Sequence, residues 1–106
     1  MSNTYELRTY QAFEGRMDEV LTRFRDHTVF ILPDYGMQAI GYWVSKEDPN
    51  RLVYIVRHEG DADENWAGFR ADPRWIKARD ESHVNGVLTE SIVAERLEPT
   101  DFSALQ

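Results

Sequence analysis

The chain has 106 residues, a length suited to one domain, and its 42% hydrophobic and 29% charged residues fit a folded globular protein rather than a disordered one. A net charge of −7 repels phosphate backbones, and the 12 basic residues are scattered, so neither nucleic acid nor an anionic membrane surface is an expected partner. The absence of cysteine excludes disulfides, thiolate metal sites and a cysteine nucleophile, and agrees with a cytoplasmic location.

Residues 4–12 (TYELRTYQA) alternate as a strand, with Tyr5, Leu7 and Thr9 on one side and Glu6, Arg8 and Tyr10 on the other. No signal or transit peptide is read ahead of it, and no apolar run approaches the roughly 20 residues of a membrane span. Gly15 breaks the alternation. Met17, Val20, Leu21, Phe24, Thr28 and Ile31 then recur at helical steps, with Asp18 and Glu19 in the first turn, where negative charge suits the helix dipole. Pro33 and Gly36 end this helix.

Residues 38–46 and 52–59 read as two strands joined by the turn Glu47-Asp48-Pro49-Asn50, a hairpin. Asp61 with Glu64 three residues on starts a second helix. Asp72-Pro73 restarts it, as N-cap and first helical residue, and Asn85-Gly86 closes it. Trp66, Phe69 and Trp75 are expected to pack on the sheet, with the Trp75 indole buried. Residues 89–97 form a fourth strand, which Pro99 ends, and residues 100–106 read as a tail.

The order strand, helix, strand, strand, helix, strand is a split βαβ: an α+β, ferredoxin-like βαββαβ fold with a four-stranded antiparallel sheet. Tyr54 and Val56 share one face of the third strand and Val53 and Ile55 the other, so both sheet faces are apolar. Two helices cover only one of them. A second copy of the chain is the simplest cover for the other. The three Trp, five Tyr and five Phe also suggest a large interface, an apolar pocket, or both.

Over residues 4–99 the sequence resembles the NIPSNAP family of the dimeric α/β-barrel group. The resemblance lies in YELRTY at Tyr5 to Tyr10, Gly15, the Gly36-Met37 turn, Gly41-Tyr42-Trp43, and Asp72-Pro73-Arg74-Trp75. It implies two ferredoxin-like sheets facing each other across a two-fold axis, and no single reaction. The wider group includes cofactor-independent monooxygenases, isomerases and haem-handling enzymes. The third strand, with Tyr54, Val56 and His58, departs from the His- and Trp-rich pattern that the resemblance implies there. Haem-degrading relatives carry an iron-ligating histidine on the second helix. Here Arg79 occupies the matching turn and His83 lies about one turn later, so haem is not expected, and no other cofactor or metal is.

Glu6, Arg8 and Tyr10 form the most informative set. Arg8 would anchor a carboxylate or enolate, with Tyr10 or Glu6 as proton donor or acceptor; the structural alternative is an ion pair that fixes the sheet. Parity with Leu7, taken as the core-facing residue, expects Arg8 to face away from the helices. His58 is the candidate general base, or else a surface histidine at the strand end beside Glu59. His27 is expected to be solvated. Trp43, Tyr54 and Trp66 are candidate ligand-binding residues, or else core and interface anchors.

Three functions follow. The first is a homodimeric domain with a pocket for a small, largely apolar metabolite. The second is a cofactor-independent monooxygenase or isomerase-like enzyme using Arg8, Tyr10 and His58. The third is an interaction module with no ligand site.

Overall fold

The computed structural model describes residues 3–106. Strands β1 (Thr4–Ala12), β2 (Met37–Val44), β3 (Arg51–His58) and β4 (Thr89–Leu97) form one antiparallel sheet in the order β2-β3-β1-β4. Helix α1 (Met17–Arg23) runs on through a wide π turn (Phe24–Thr28), a helical turn α2 (Val29–Ile31) and a 3-10 turn (Leu32–Tyr35). Helices α3 (Ala62–Ala71) and α4 (Pro73–Ser82) fill the second crossover. This is the expected ferredoxin-like order, with the first helix less regular than its apolar spacing predicts.

The local stops and starts are chemical. Gly36 ends the first helical stretch at φ 72°, a left-handed conformation that glycine adopts without a Cβ clash. Asp61 caps α3 by accepting from the Glu64 amide, and Asp72 caps α4 by accepting from the Arg74 amide, with Pro73 at the first position. In the β2–β3 turn the Ser45 hydroxyl accepts from the amides of Glu47 and Asp48, and the Asp48 carboxylate accepts from that of Asn50.

The helices cover one face of the sheet. Val20, Phe24, Ile31 and Leu32 from the first crossover and Trp66 and Phe69 from α3 meet Leu52, Tyr54 and Val56 of β3. The shortest extent of the molecule is 19 Å, the thickness of one helix layer on one sheet. Trp75 is half-buried, not buried: its ring lies 5.0 Å from that of Phe69 at the rim of the layer.

The side of β1 that faces the helices is the reverse of the expected one. Glu6, Arg8 and Tyr10 point inward and are buried, whereas Leu7 and Thr9 face outward. The register explains this. Glu6, Arg8 and Tyr10 lie opposite Val56, Tyr54 and Leu52, the fully buried side of β3, and Leu7 lies opposite Ile55 on the other side. Ranking single residues by apolarity misplaced the strand, because the polar residues of β1 satisfy one another once inside.

The outward face carries Leu7, Val53, Ile55, Trp43 and Val93, with Trp43 51% and Val93 62% exposed. Residues 100–106 turn back toward one end of this face, where the Tyr5 hydroxyl donates to the Gln106 carbonyl over 2.9 Å. No helix is long and apolar enough to cross a membrane among the described residues.

Candidate functional site

Arg8 stands at the centre of the inward face, 6% exposed. Its Nη1 donates to Glu6 Oε2 at 2.9 Å, its Nε to the Tyr54 hydroxyl at 2.8 Å, and its Nη2 to the Tyr10 hydroxyl at 3.4 Å. The guanidinium lies over the Trp66 ring, 4.2 Å from its centroid, a close cation–π contact. Alternation along β1 puts Glu6, Arg8 and Tyr10 in one row, and the β1–β3 register brings Tyr54 opposite Arg8. Trp66 comes from α3, whose start is fixed by the Asp61 cap.

Glu6 is held from several sides. Its Oε1 accepts from the Trp66 indole and from His58 Nε2, each at 2.9 Å, and Arg96 Nε lies 3.5 Å away. Burial alone would raise the carboxyl, but the hydrogen bonds from His58, Trp66 and Arg8 outweigh it and hold it at about 2. Burial works likewise against the charge on Arg8; Tyr54, Tyr10 and Glu6 reverse that and raise its pKa. The Tyr54 phenol is pushed well up, chiefly by burial and then by Tyr10, so it stays protonated.

His58 has a defined tautomer. Asn65 Nδ2 donates to the Glu59 carbonyl at 2.9 Å, which orients its amide, and the same nitrogen meets His58 Nδ1 at 3.1 Å. Nδ1 therefore accepts, and the proton sits on Nε2, where it is given to Glu6. The chain Asn65–His58–Glu6–Arg8 thus fixes the guanidinium from behind.

In front of Arg8 a cleft of about 250 Å³ opens between α3, α4 and β4. Trp66, Phe69 and Trp75 form its aromatic wall; Tyr10 and Ile92 face them from the sheet, and Arg70 and Arg79 stand along it. Larger clefts open between α1 and α4 (about 360 Å³) and beside β2 (about 440 Å³). Neither includes Arg8 or Tyr10, and Asp18, Glu19 and Glu81 rim the first.

Among the sequence-predicted site residues, Glu6, Arg8, Tyr10, Tyr54, His58 and Trp66 come together in one network. Arg8, Tyr10 and Trp66 reach the cleft, whereas Glu6, Tyr54 and His58 stand behind it. His58 is not at the surface: it is buried at the end of β3, with both ring nitrogens engaged by Glu6 and Asn65. Trp43 lies on the outward face, apart from the network, its ring folded over Gly41. His27 is exposed, as expected. The sequence reading missed Asn65 and Arg70. Asn65 has no periodic signal: its role depends on β3 ending where α3 begins. Arg70 lies four residues beyond Trp66, one helical turn away, a spacing that could have revealed it. No three histidine or carboxylate side chains gather as metal ligands among the described residues.

An antiparallel β2-β3-β1-β4 sheet with helices on one face, and a buried arginine between the layers, defines a ferredoxin-like α+β domain. The sequence profile of the NIPSNAP family matches residues 5–104, and the chain belongs to that family. Two solved NIPSNAP family proteins from Agrobacterium tumefaciens, one described as of unknown function, are each 27% identical to it at a TM-score of 0.81. They cover 98% of this chain and, respectively, 94% and 99% of their own. An uncharacterised NIPSNAP domain protein from Burkholderia xenovorans is 23% identical over 94% of this chain and 97% of its own, with a TM-score of 0.75. No curated protein matches the chain.

Proposed function

We propose that this NIPSNAP domain binds a small, largely apolar metabolite in the Arg8 cleft, as one subunit of a cytoplasmic homodimer. One observation carries the ligand reading: a buried guanidinium, held from behind by Glu6 and stacked on the Trp66 ring, at the inner end of a cleft walled by aromatic rings. Ligand sites combine an apolar wall with a few placed polar groups in this way. Dimerisation is supported by the outward face, where Trp43 and Val93 stand exposed beside Val53 and Ile55. The cytoplasmic assignment rests on the cysteine-free sequence.

Thermal-shift screening of the purified chain against a metabolite set tests the cleft, because a ligand bound to the folded state raises the melting temperature. Hits that Arg8→Lys weakens while leaving the fold intact would support it, since lysine lacks the planar fork. A set with no hit would favour the interaction-module reading. A stable monomer by sedimentation at micromolar concentration would remove the dimer.

A second reading, a cofactor-independent enzyme, is favoured by the Arg8–Tyr10–Tyr54 contacts. A guanidinium that donates to two phenols, one of them kept protonated by burial, is suited to stabilising an enolate or other oxyanion. In that reading Tyr10, at the cleft, touches the substrate, and His58 acts through Glu6 as a positioning residue.

A further inference from the structure

The geometry points to an anion as the cleft's ligand: a carboxylate carried on a flat body of one or two rings. This rests on the ligand cleft proposed above and adds the chemical class. The first argument is a count of donors. Arg8 has five N–H groups, and its three contacts use three of them. Tyr10 and Tyr54 hold two hydroxyl protons but share a single contact of 3.3 Å, and both oxygens already accept from Arg8. One phenol proton therefore has no acceptor in the network. Two guanidinium protons and one phenol proton remain unused, and the phenol oxygens already accept from Arg8. Such a group is completed by a ligand that only accepts, and a carboxylate does so with two oxygens in the plane of the fork.

The second argument is charge. Three guanidiniums line the cleft, those of Arg8, Arg70 and Arg79, and Arg23, which lines the cleft between α1 and α4, lies 5.1 Å from the Trp75 ring. Only two are bonded to a carboxylate, Arg8 to Glu6 and Arg79 to Asp80. Arg23 is 6% exposed; it has Ser82 and His83 as neutral partners, and its Nε has none. Arg70 rests on the Trp66 ring at 5.5 Å and makes no ion pair among the described residues. Three positive charges against two negative ones along the cleft, in a chain of net charge −7, favour an anion at this opening. The ring preference follows from Trp66, Phe69 and Trp75, and the size from a volume of about 250 Å³, below the usual span for drug-sized ligands.

The test measures binding of benzoate, phenylacetate and 2-naphthoate by calorimetry, each against its own amide, which keeps the shape and removes the charge. The acids are expected to bind about tenfold or more tightly than the amides. They should also shift the indole N–H signals of Trp66 and Trp75 in NMR spectra. Arg8→Gln risks unfolding, so the variant is the exposed Arg70→Gln, which should narrow the gap between acid and amide. Amides that bind as well as the acids, or a gap indifferent to Arg70, would overturn the anion class and leave the cleft standing. No binding by any member at millimolar concentration, or binding that leaves both indole signals in place, would overturn the class and the cleft together.

Discussion

Replacing Glu6 by glutamine keeps the shape of the side chain and removes its charge. The carboxylate accepts from Arg8, His58 and Trp66, so an amide nitrogen at either oxygen position would face a donor. A displacement of the Glu6 pKa from 4.5 to about 2 corresponds to about 3 kcal/mol of folded-state preference for the charged form. Folded Glu6 holds its proton more weakly than unfolded Glu6 does. That stabilisation is therefore complete above about pH 5, and is lost as pH falls through the ordinary carboxyl range toward about 2. Urea denaturation of the wild type and Glu6→Gln should be compared at each pH from 2 to 7. Subtracting the two curves removes the other carboxylates, which titrate alike in both proteins. The difference should be about 3 kcal/mol or more near neutrality and shrink toward pH 2. A difference that stays flat between pH 5 and 2 would refute the argument that the buried carboxylate carries this energy.

Trp66→Phe keeps an aromatic ring under Arg8 but removes the indole donor to Glu6; it should cost about 1.5–3 kcal/mol by denaturation and move the acid limb of stability to higher pH. Gly68→Ala would place a Cβ 2.6 Å from the Tyr35 ring, whose hydroxyl is tied to Asp72, so it should lower stability by about 1–3 kcal/mol, read from the denaturation midpoint. Trp43→Glu puts a charge on the outward sheet face without touching the core; the expected result is a monomer by sedimentation with an unchanged melting transition at low concentration, and a persisting dimer would move the interface elsewhere.

The fold was legible because its punctuation is local. Asp61, Asp72-Pro73 and Gly36 each announce a helix end through a backbone requirement that no distant residue alters. The wide turn at Phe24–Thr28 was not legible, since the buried residues Val20, Phe24, Thr28 and Ile31 keep a helical spacing across it. The row Glu6, Arg8, Tyr10 was readable as a unit from strand alternation. Its direction was not, because that depends on which side of β3 lies under the helices and on Trp66 arriving from 60 residues away. Leu7 looked like the inward residue by its own character. The inward place went to Arg8, whose charge is matched by partners from β3 and α3.

Strand β1 is in effect two interleaved messages. Its even-numbered residues from Glu6 to Tyr10 form the inward row, of which Arg8 and Tyr10 reach the cleft, and its odd-numbered residues from Tyr5 to Thr9 belong to the opposite surface of the molecule. The two surfaces are separated by no more than the sheet itself, so each can change in evolution through substitutions that leave the other's residues untouched. A single residue inserted or deleted within the row would have the contrary effect if the pairing on either side held. It would send part of the charged row to the outward surface and bring apolar residues inward. Variation along this strand should therefore be common as replacement and rare as a change of length.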